Sequence, residues 1–162
     1  MQIRPARESE LAPILALYAD ARAYMRANGN PSQWGSSDPA EALIRDDLRA
    51  GYCHVCEEEG KLVGVFSWIP GPDHTYAVIE DGAWPDDGPY TVIHRIAVAS
   101  HRRGIASACF DWALRRSRAL RIDTHADNIP MQRSLAKNGF TRCGIIHLKN
   151  GSPRIAYQKT AL

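Results

Sequence analysis

Apolar and polar positions alternate or recur with two periods, and the changes of period divide the chain into elements. Gln2 to Ala6 alternates as a short strand. Leu11, Ile14, Leu15, Tyr18 and Met25 then share one face of a helix, with Pro13 in its first turn and Asn28-Gly29-Asn30-Pro31 ending it. Asp38-Pro39-Ala40-Glu41 predicts a second helix start, with Asp38 as cap, Pro39 in the first position and Glu41 reaching back. Ile44 and Leu48 line that helix and Gly51 stops it.

Tyr52 to Glu58 and Lys61 to Ile69 read as two strands joined through Glu59-Gly60. Tyr76 to Glu80 is a further short strand or loop. From Tyr90 the alternation resumes, placing Val92, His94, Ile96 and Val98 on one side and Ile93, Arg95 and Ala97 on the other. The period becomes helical after Gly104, with Ile105, Cys109, Trp112 and Ala113 recurring. Leu120 to Thr124 is again a strand, so strand, helix and strand form a right-handed crossover with the two strands parallel. Asn128 caps a last helix that Lys137-Asn138-Gly139-Phe140 closes, and Cys143 to Leu148 pairs with Pro153 to Gln158 as a hairpin. This order predicts an α/β fold over residues 1–162 as one domain, a mixed central sheet flanked by about four helices.

Length, charge and cysteine usage narrow the function. A chain of 162 residues suits one substantial core. A formal net charge of +2 gives no reason to expect nucleic acid as partner. No apolar run is long enough to span a membrane and the N-terminus lacks the pattern of a signal peptide, so the reading is a soluble cytoplasmic protein with no membrane partner. Cys53-His54-Val55-Cys56 invites a metal or redox reading, but it lies in a strand, where side chains three apart face opposite ways. Buried reduced thiols are the simpler account, and no metal is expected.

The chemistry gathers after the central strand. The start of a helix offers unpaired backbone N–H groups and the positive end of its dipole. Arg102 and Arg103 add charge there, and Gly104 lets a phosphate approach the backbone closely. This segment, His101-Arg102-Arg103-Gly104-Ile105-Ala106, resembles the pyrophosphate loop of the GNAT acetyltransferase superfamily, with His101 where Arg or Gln is usual. The later run DNIPMQRSLAKNGF is similar to the superfamily's segment in which Asn begins a helix beside coenzyme A and the helix ends in Lys-x-Gly-Phe. The element order is also that of the GNAT-type fold along nearly the whole chain.

The resemblance implies acetyl-CoA as cosubstrate. Main-chain groups of Ile96, Ala97 and Val98 would pair with its pantetheine arm as an added strand does. Amides of Arg102, Arg103, Gly104, Ile105, Ala106 and Ser107 would hold the pyrophosphate. Asn128, Met131 and Arg133 would lie along its other side. The implied reaction is N-acetylation of a primary amine by direct attack in a ternary complex, and a homodimer is compatible with the resemblance.

An amine must lose a proton before it attacks, and His94 is the leading base, because imidazole titrates near working pH. His94-Arg95-Ile96-Ala97-Val98 is similar to the His-x-Leu-Ala-Val strand of the aralkylamine N-acetyltransferases, where a working histidine holds the matching place. A structural histidine tied to a carboxylate is the competing reading. Glu80, Asp123 and His125 are alternative bases. Leu135 stands where many members have a tyrosine that protonates the leaving thiolate, so the acid is another group, such as Tyr157 or a water, or is absent. Trp34, Trp68, Trp84 and Tyr90 read either as an aromatic wall for an amine or as core and loop anchors. The acceptor is a small-molecule amine or a peptide amine. A CoA-binding sensor or partner-binding domain without turnover, and an acyltransferase using a longer acyl-CoA, are the alternatives.

Overall fold

The alternating segments form strands and the 3.6-period segments helices in a computed structural model that describes residues 1–99 and 102–162. In chain order they are β1 (Gln2–Pro5), α1 (Leu11–Ala27), α2 (Glu41–Ala50), β2 (Cys53–Glu58), β3 (Lys61–Pro70), β4 (Thr91–Val98), α3 (Ile105–Leu114), β5 (Ala119–Thr124), α4 (Ile129–Lys137), β6 (Thr141–His147) and β7 (Pro153–Thr160). The strands make one seven-stranded sheet in the order β1-β2-β3-β4-β5-β7-β6. All neighbours are antiparallel except β4 and β5, whose parallel pairing follows from the α3 crossover between them.

Helices cover both faces of the sheet. Along β3, Gly64, Phe66 and Trp68 turn toward α3, where Phe66 and Trp68 meet Trp112 edge-on. Ser67 alternates to the opposite face and donates to Asp47 of α2. Gly64 is needed for close packing, since a Cβ there would come within 2.9 Å of the Ile105 methyl. The core between these layers includes Ile14, Tyr18, Val65, Phe110, Leu120 and Leu135.

Three expectations change, and one left open is decided. The buried stripe of α1 runs through Ile14, Leu17, Tyr18 and Ala21, while Leu11 and Leu15 pack at its margin. The second helix begins at Glu41 with Ala40 as its cap and no side-chain capping bond. Asp38 instead belongs to the preceding loop, its N–H donating to Trp34 and its carbonyl accepting from Arg22, and the Asp38–Pro39 peptide is cis. Residues 76–80, expected as strand or loop, take the loop form. His74–Tyr76 is a 3-10 turn, and Glu80 makes a single bridge to Ile145.

The last correction concerns β4. Ser67 pairs with His94 and Val65 with Ala97, so Arg95 and Ile96 together oppose Phe66. Arg95 carries φ +52°, an uncommon conformation for a side-chain-bearing residue, and the strand bulges there. The strict alternation therefore fails: His94 lies on the face of Ala97, and Val98, opposite Gly64, lies on the other. The bulge is held from two helices. Asp47 of α2, itself buried, receives Arg95 Nε at 2.9 Å and Nη2 at 3.0 Å, and Tyr18 of α1 donates its hydroxyl to the Arg95 carbonyl at 2.7 Å.

The four cysteines are free and buried. Cys56 and Cys109 face each other at 3.4 Å, and the hydrogen bond between them together with burial pushes the Cys109 thiol well up. Burial pushes Cys53 up to about 12. Cys53 thus stays protonated, which weighs against a thiolate role for it. No described helix is long and apolar enough to cross a membrane.

Candidate active site

The parallel pairing of β4 with β5 is short. Thr91 pairs with Leu120 and Val92 with Arg121, and beyond them the strands part. The parting leaves Ile96, Ala97 and Val98 along one wall of a cleft of about 240 Å³, which α1 borders with Ala21, Tyr24 and Met25 and α4 with Pro130, Met131 and Ser134. Ala99 N–H goes back to the Val63 carbonyl on β3. By alternation, the N–H of Val98 points the other way, into the parting.

One end of the cleft leads to the start of α3. Gly104 takes the left-handed conformation with φ +81°, and a Cβ there would meet no atom within 4 Å. The first helical bond runs from Ala108 N–H to the Gly104 carbonyl, so the amides of Ile105, Ala106 and Ser107 precede the ladder and point outward. The Arg102 amide is already engaged by the Ala99 carbonyl, which removes it from the expected set of donors. Its guanidinium lines the cleft and pairs with Glu58 at 3.0 Å. The Ile105 side chain is core, so its contribution to a site is its amide alone. His101 lies outside the described residues. Arg133 is exposed and does not line the cleft; Ser134 and Pro130 do.

Asn128 sits between the cleft and a larger cavity. Its side-chain oxygen caps α4 by accepting from Met131 N–H at 3.2 Å, and its amide donates to Gln33 at 2.9 Å. Gln33 also accepts from Asn30, which ties the loop before α2 to the start of α4. Met25, Ile96, Asn128 and Met131 line both spaces, so the two are contiguous.

The larger cavity, about 580 Å³, holds the titratable groups. His94 reaches it from β4 and Asp123 from β5. Asp73, on the loop after β3, receives His94 Nε2 at 2.7 Å on one oxygen and the Thr75 amide and hydroxyl on the other. Burial alone would raise the Asp73 carboxyl, but the hydrogen bonds from His94 and Thr75 outweigh it and hold the group well below the usual carboxylate range. An ionised Asp73 can only accept, so Nε2 carries a proton, and in the neutral ring Nδ1 holds the lone pair. Nδ1 lies 3.9 Å from Asp123 Oδ2. That oxygen accepts the Tyr76 hydroxyl at 2.6 Å, and burial beside Asp123 keeps the Tyr76 phenol protonated.

The other candidates lie elsewhere. Glu80 is exposed, 4.0 Å from His147, and lines neither space. His125 accepts from the Asp127 amide at 3.0 Å in the turn after β5 and also lines neither. Tyr157 is buried in the core, where burial raises its phenol, and Leu135 is fully buried. Of the aromatics, Trp34 lines the larger cavity, whereas Trp84 and Tyr90 stack on Arg121 at 4.0 and 3.9 Å.

A sequence profile of the Acetyltransferase (GNAT) family matches residues 15–140, more than half of the chain. The chain belongs to the GNAT acetyltransferase family. Its sheet and helices have the GNAT fold, and the family's general reaction is N-acetylation by acetyl-CoA. A GNAT family acetyltransferase from Streptococcus agalactiae 2603 is similar at 35% identity and TM-score 0.87, covering 98% of this chain and 94% of that one. A ribosomal-protein-alanine N-acetyltransferase from Brucella melitensis shares the fold at 23% identity and TM-score 0.63, covering 99% of each chain. The NatC complex bound to Gag peptide and CoA shares it at 15% identity and TM-score 0.64, covering 100% of each chain. A comparison with curated proteins gives no match.

Several site residues carried no sequence signal. Asp73, Tyr76 and Gln33 come from loops, and Tyr24 lies on the exposed side of α1. Only the Asp73-x-Thr75 spacing hints at an ordered turn.

Proposed function

We propose that this GNAT protein transfers an acetyl group from acetyl-CoA to a primary amine by direct attack in a ternary complex, with residues 1–162 serving as one catalytic domain. The observation that carries the reading is the contiguity of two spaces, one ending at a helix start suited to phosphate and the other at the Asp73–His94–Asp123 cluster. The residues fit the donor. Gly104 leaves room at the positive end of α3, the amides of Ile105, Ala106 and Ser107 can hold a pyrophosphate, and the open edge of Ile96 to Val98 suits an extended arm. Asn128 and Met131 flank the same path, whereas Arg103 and Arg133 are exposed outside its lining. The donor supplies the thioester and hence the acetyl group.

The chain's own part has two steps. An acceptor ammonium in the larger cavity gives its proton to His94 Nδ1. The resulting imidazolium lies between two carboxylates, hydrogen-bonded to Asp73 through Nε2 and facing Asp123 through Nδ1. As the amine attacks, the Val98 N–H at the parting is placed for charge developing on a carbonyl oxygen. Leu135 supplies no acid, and a thiolate departs without one.

A CoA-binding domain without turnover is the second reading, favoured by the burial of Leu135. Calorimetric titration of the protein with acetyl-CoA tests the donor assignment. Micromolar binding is expected, and Gly104→Glu, which puts a carboxylate where the phosphates belong, is expected to abolish it. No binding by the unmodified protein overturns the proposal.

A further inference from the structure

One charged side chain in the larger cavity is left out of the mechanism. Arg154, at the start of β7, is 6% exposed. Its Nη1 donates to Ser152 Oγ at 2.6 Å and to the Pro153 carbonyl at 2.8 Å. Among the described residues no carboxylate lies within ion-pair distance of it, and Nε and Nη2 have no partner. These two nitrogens form one edge of the guanidinium, the fork that matches two coplanar oxygens. Neither nitrogen is sealed away from solvent, so the fork stays open to the cavity, where water or a ligand can complete it.

Its surroundings say what completes it. Arg154 lines the same cavity as His94 and Asp123, and Lys149 from the β6–β7 turn lies on that wall too. Burial lowers the Arg154 guanidinium and the Asp123 charge partly restores it, so the two groups sense each other without bonding directly. Trp34, Met25 and Leu43 add apolar surface. The cavity thus offers carboxylates for an ammonium, an open cationic fork for a carboxylate, and an apolar wall. We infer that the acceptor is an amino acid-like zwitterion: its amine faces His94 and its carboxylate is held two-pronged by Arg154 Nε and Nη2. This rests on the acetyl-transfer reading for the amine end and stands independently for the anion end.

The experiment compares matched pairs. Coenzyme A thiol release is followed with glycine, leucine, phenylalanine and β-alanine, each against its own amide. Binding of N-acetylleucine and N-acetylleucinamide is measured by calorimetry on the unmodified protein, Arg154→Gln and Arg154→Lys, with folding of the variants checked by circular dichroism. At least one acid is expected to exceed its amide about tenfold in kcat/KM, chiefly through KM, and N-acetylleucine to bind about tenfold tighter than its amide. Arg154→Gln is expected to erase both preferences and Arg154→Lys to restore part of them. Amides that match or exceed the acids in turnover and binding overturn the inference, as does the absence of binding by either N-acetyl compound. The acid–amide comparison on the unmodified protein decides the matter even if both variants misfold. Acid-selective, Arg154-dependent binding in a protein that fails to bind acetyl-CoA would uphold the anion site and sink the transfer reading instead.

Discussion

At the scale of single residues, the site rests on His94 and the two carboxylates beside it. With Asp73 fixing the proton on Nε2, only Nδ1 can accept, and His94→Ala removes that acceptor. Steady-state kinetics should show kcat lower by about 10²–10⁴-fold with acetyl-CoA affinity retained. Turnover unchanged across pH would remove histidine from the mechanism. Asp73 also has a structural consequence with a definite sign. Its carboxyl is depressed in the folded state, so its contribution to stability is present above the unfolded carboxylate value and lost as pH falls through the folded one. Asp73→Asn should therefore cost about 1–3 kcal/mol near pH 7, with the deficit shrinking below about pH 4. Urea unfolding at the two pH values reads this directly. A deficit that stays constant would place the cost in shape and not in charge.

At the scale of elements, the bulge in β4 decides most. A left-handed arginine is unfavourable alone and persists because Asp47 and Tyr18 grip its side chain and carbonyl. Asp47→Ala leaves the Arg95 charge partly buried without a partner and should destabilise the fold by about 3–5 kcal/mol. It should also weaken acetyl-CoA binding, because the strand is then free to close toward β5. Chemical denaturation with and without acetyl-CoA measures both, and a variant of normal stability would show that something else holds the bulge. The same element shows where sequence reading stops. The order of strands and helices was legible, because period, Gly51 and the Asn128 and Gly139 caps act within a few residues. The bulge was not, because its cause lies 48 residues away in Asp47. Ile96 to Val98 do line a cleft, yet the facing of His94 came out reversed for that reason. Asp73 and Arg154 stayed hidden because loops remote in sequence bring them in.

At the scale of the molecule, the cleft beside Ile96 to Val98 lies between two parts of the sheet joined by two registered pairs. A ligand that touches β4, α3 and α4 together should stabilise the whole fold by mass action, about 2.7 kcal/mol at a hundredfold excess over its Kd. For a chain of this size that is a rise in Tm of about 5–10 °C. Thermal scans with acetyl-CoA should show the rise in the parent protein and none in Gly104→Glu. An equal rise in both would move the phosphates away from α3.

The parting of β4 from β5 has a further consequence, for self-association. It creates two strand edges inside a sheet, and an unpaired edge ordinarily invites another chain to add to it, the first step toward fibrous aggregates. Here Ala21, Tyr24 and Met25 stand on one side of the gap and Pro130, Met131 and Ser134 on the other. A polypeptide strand with side chains on both faces is excluded by these walls, while a slender unbranched chain is not. The fold can thus keep a sheet edge open to a slender ligand without offering a template to its own copies.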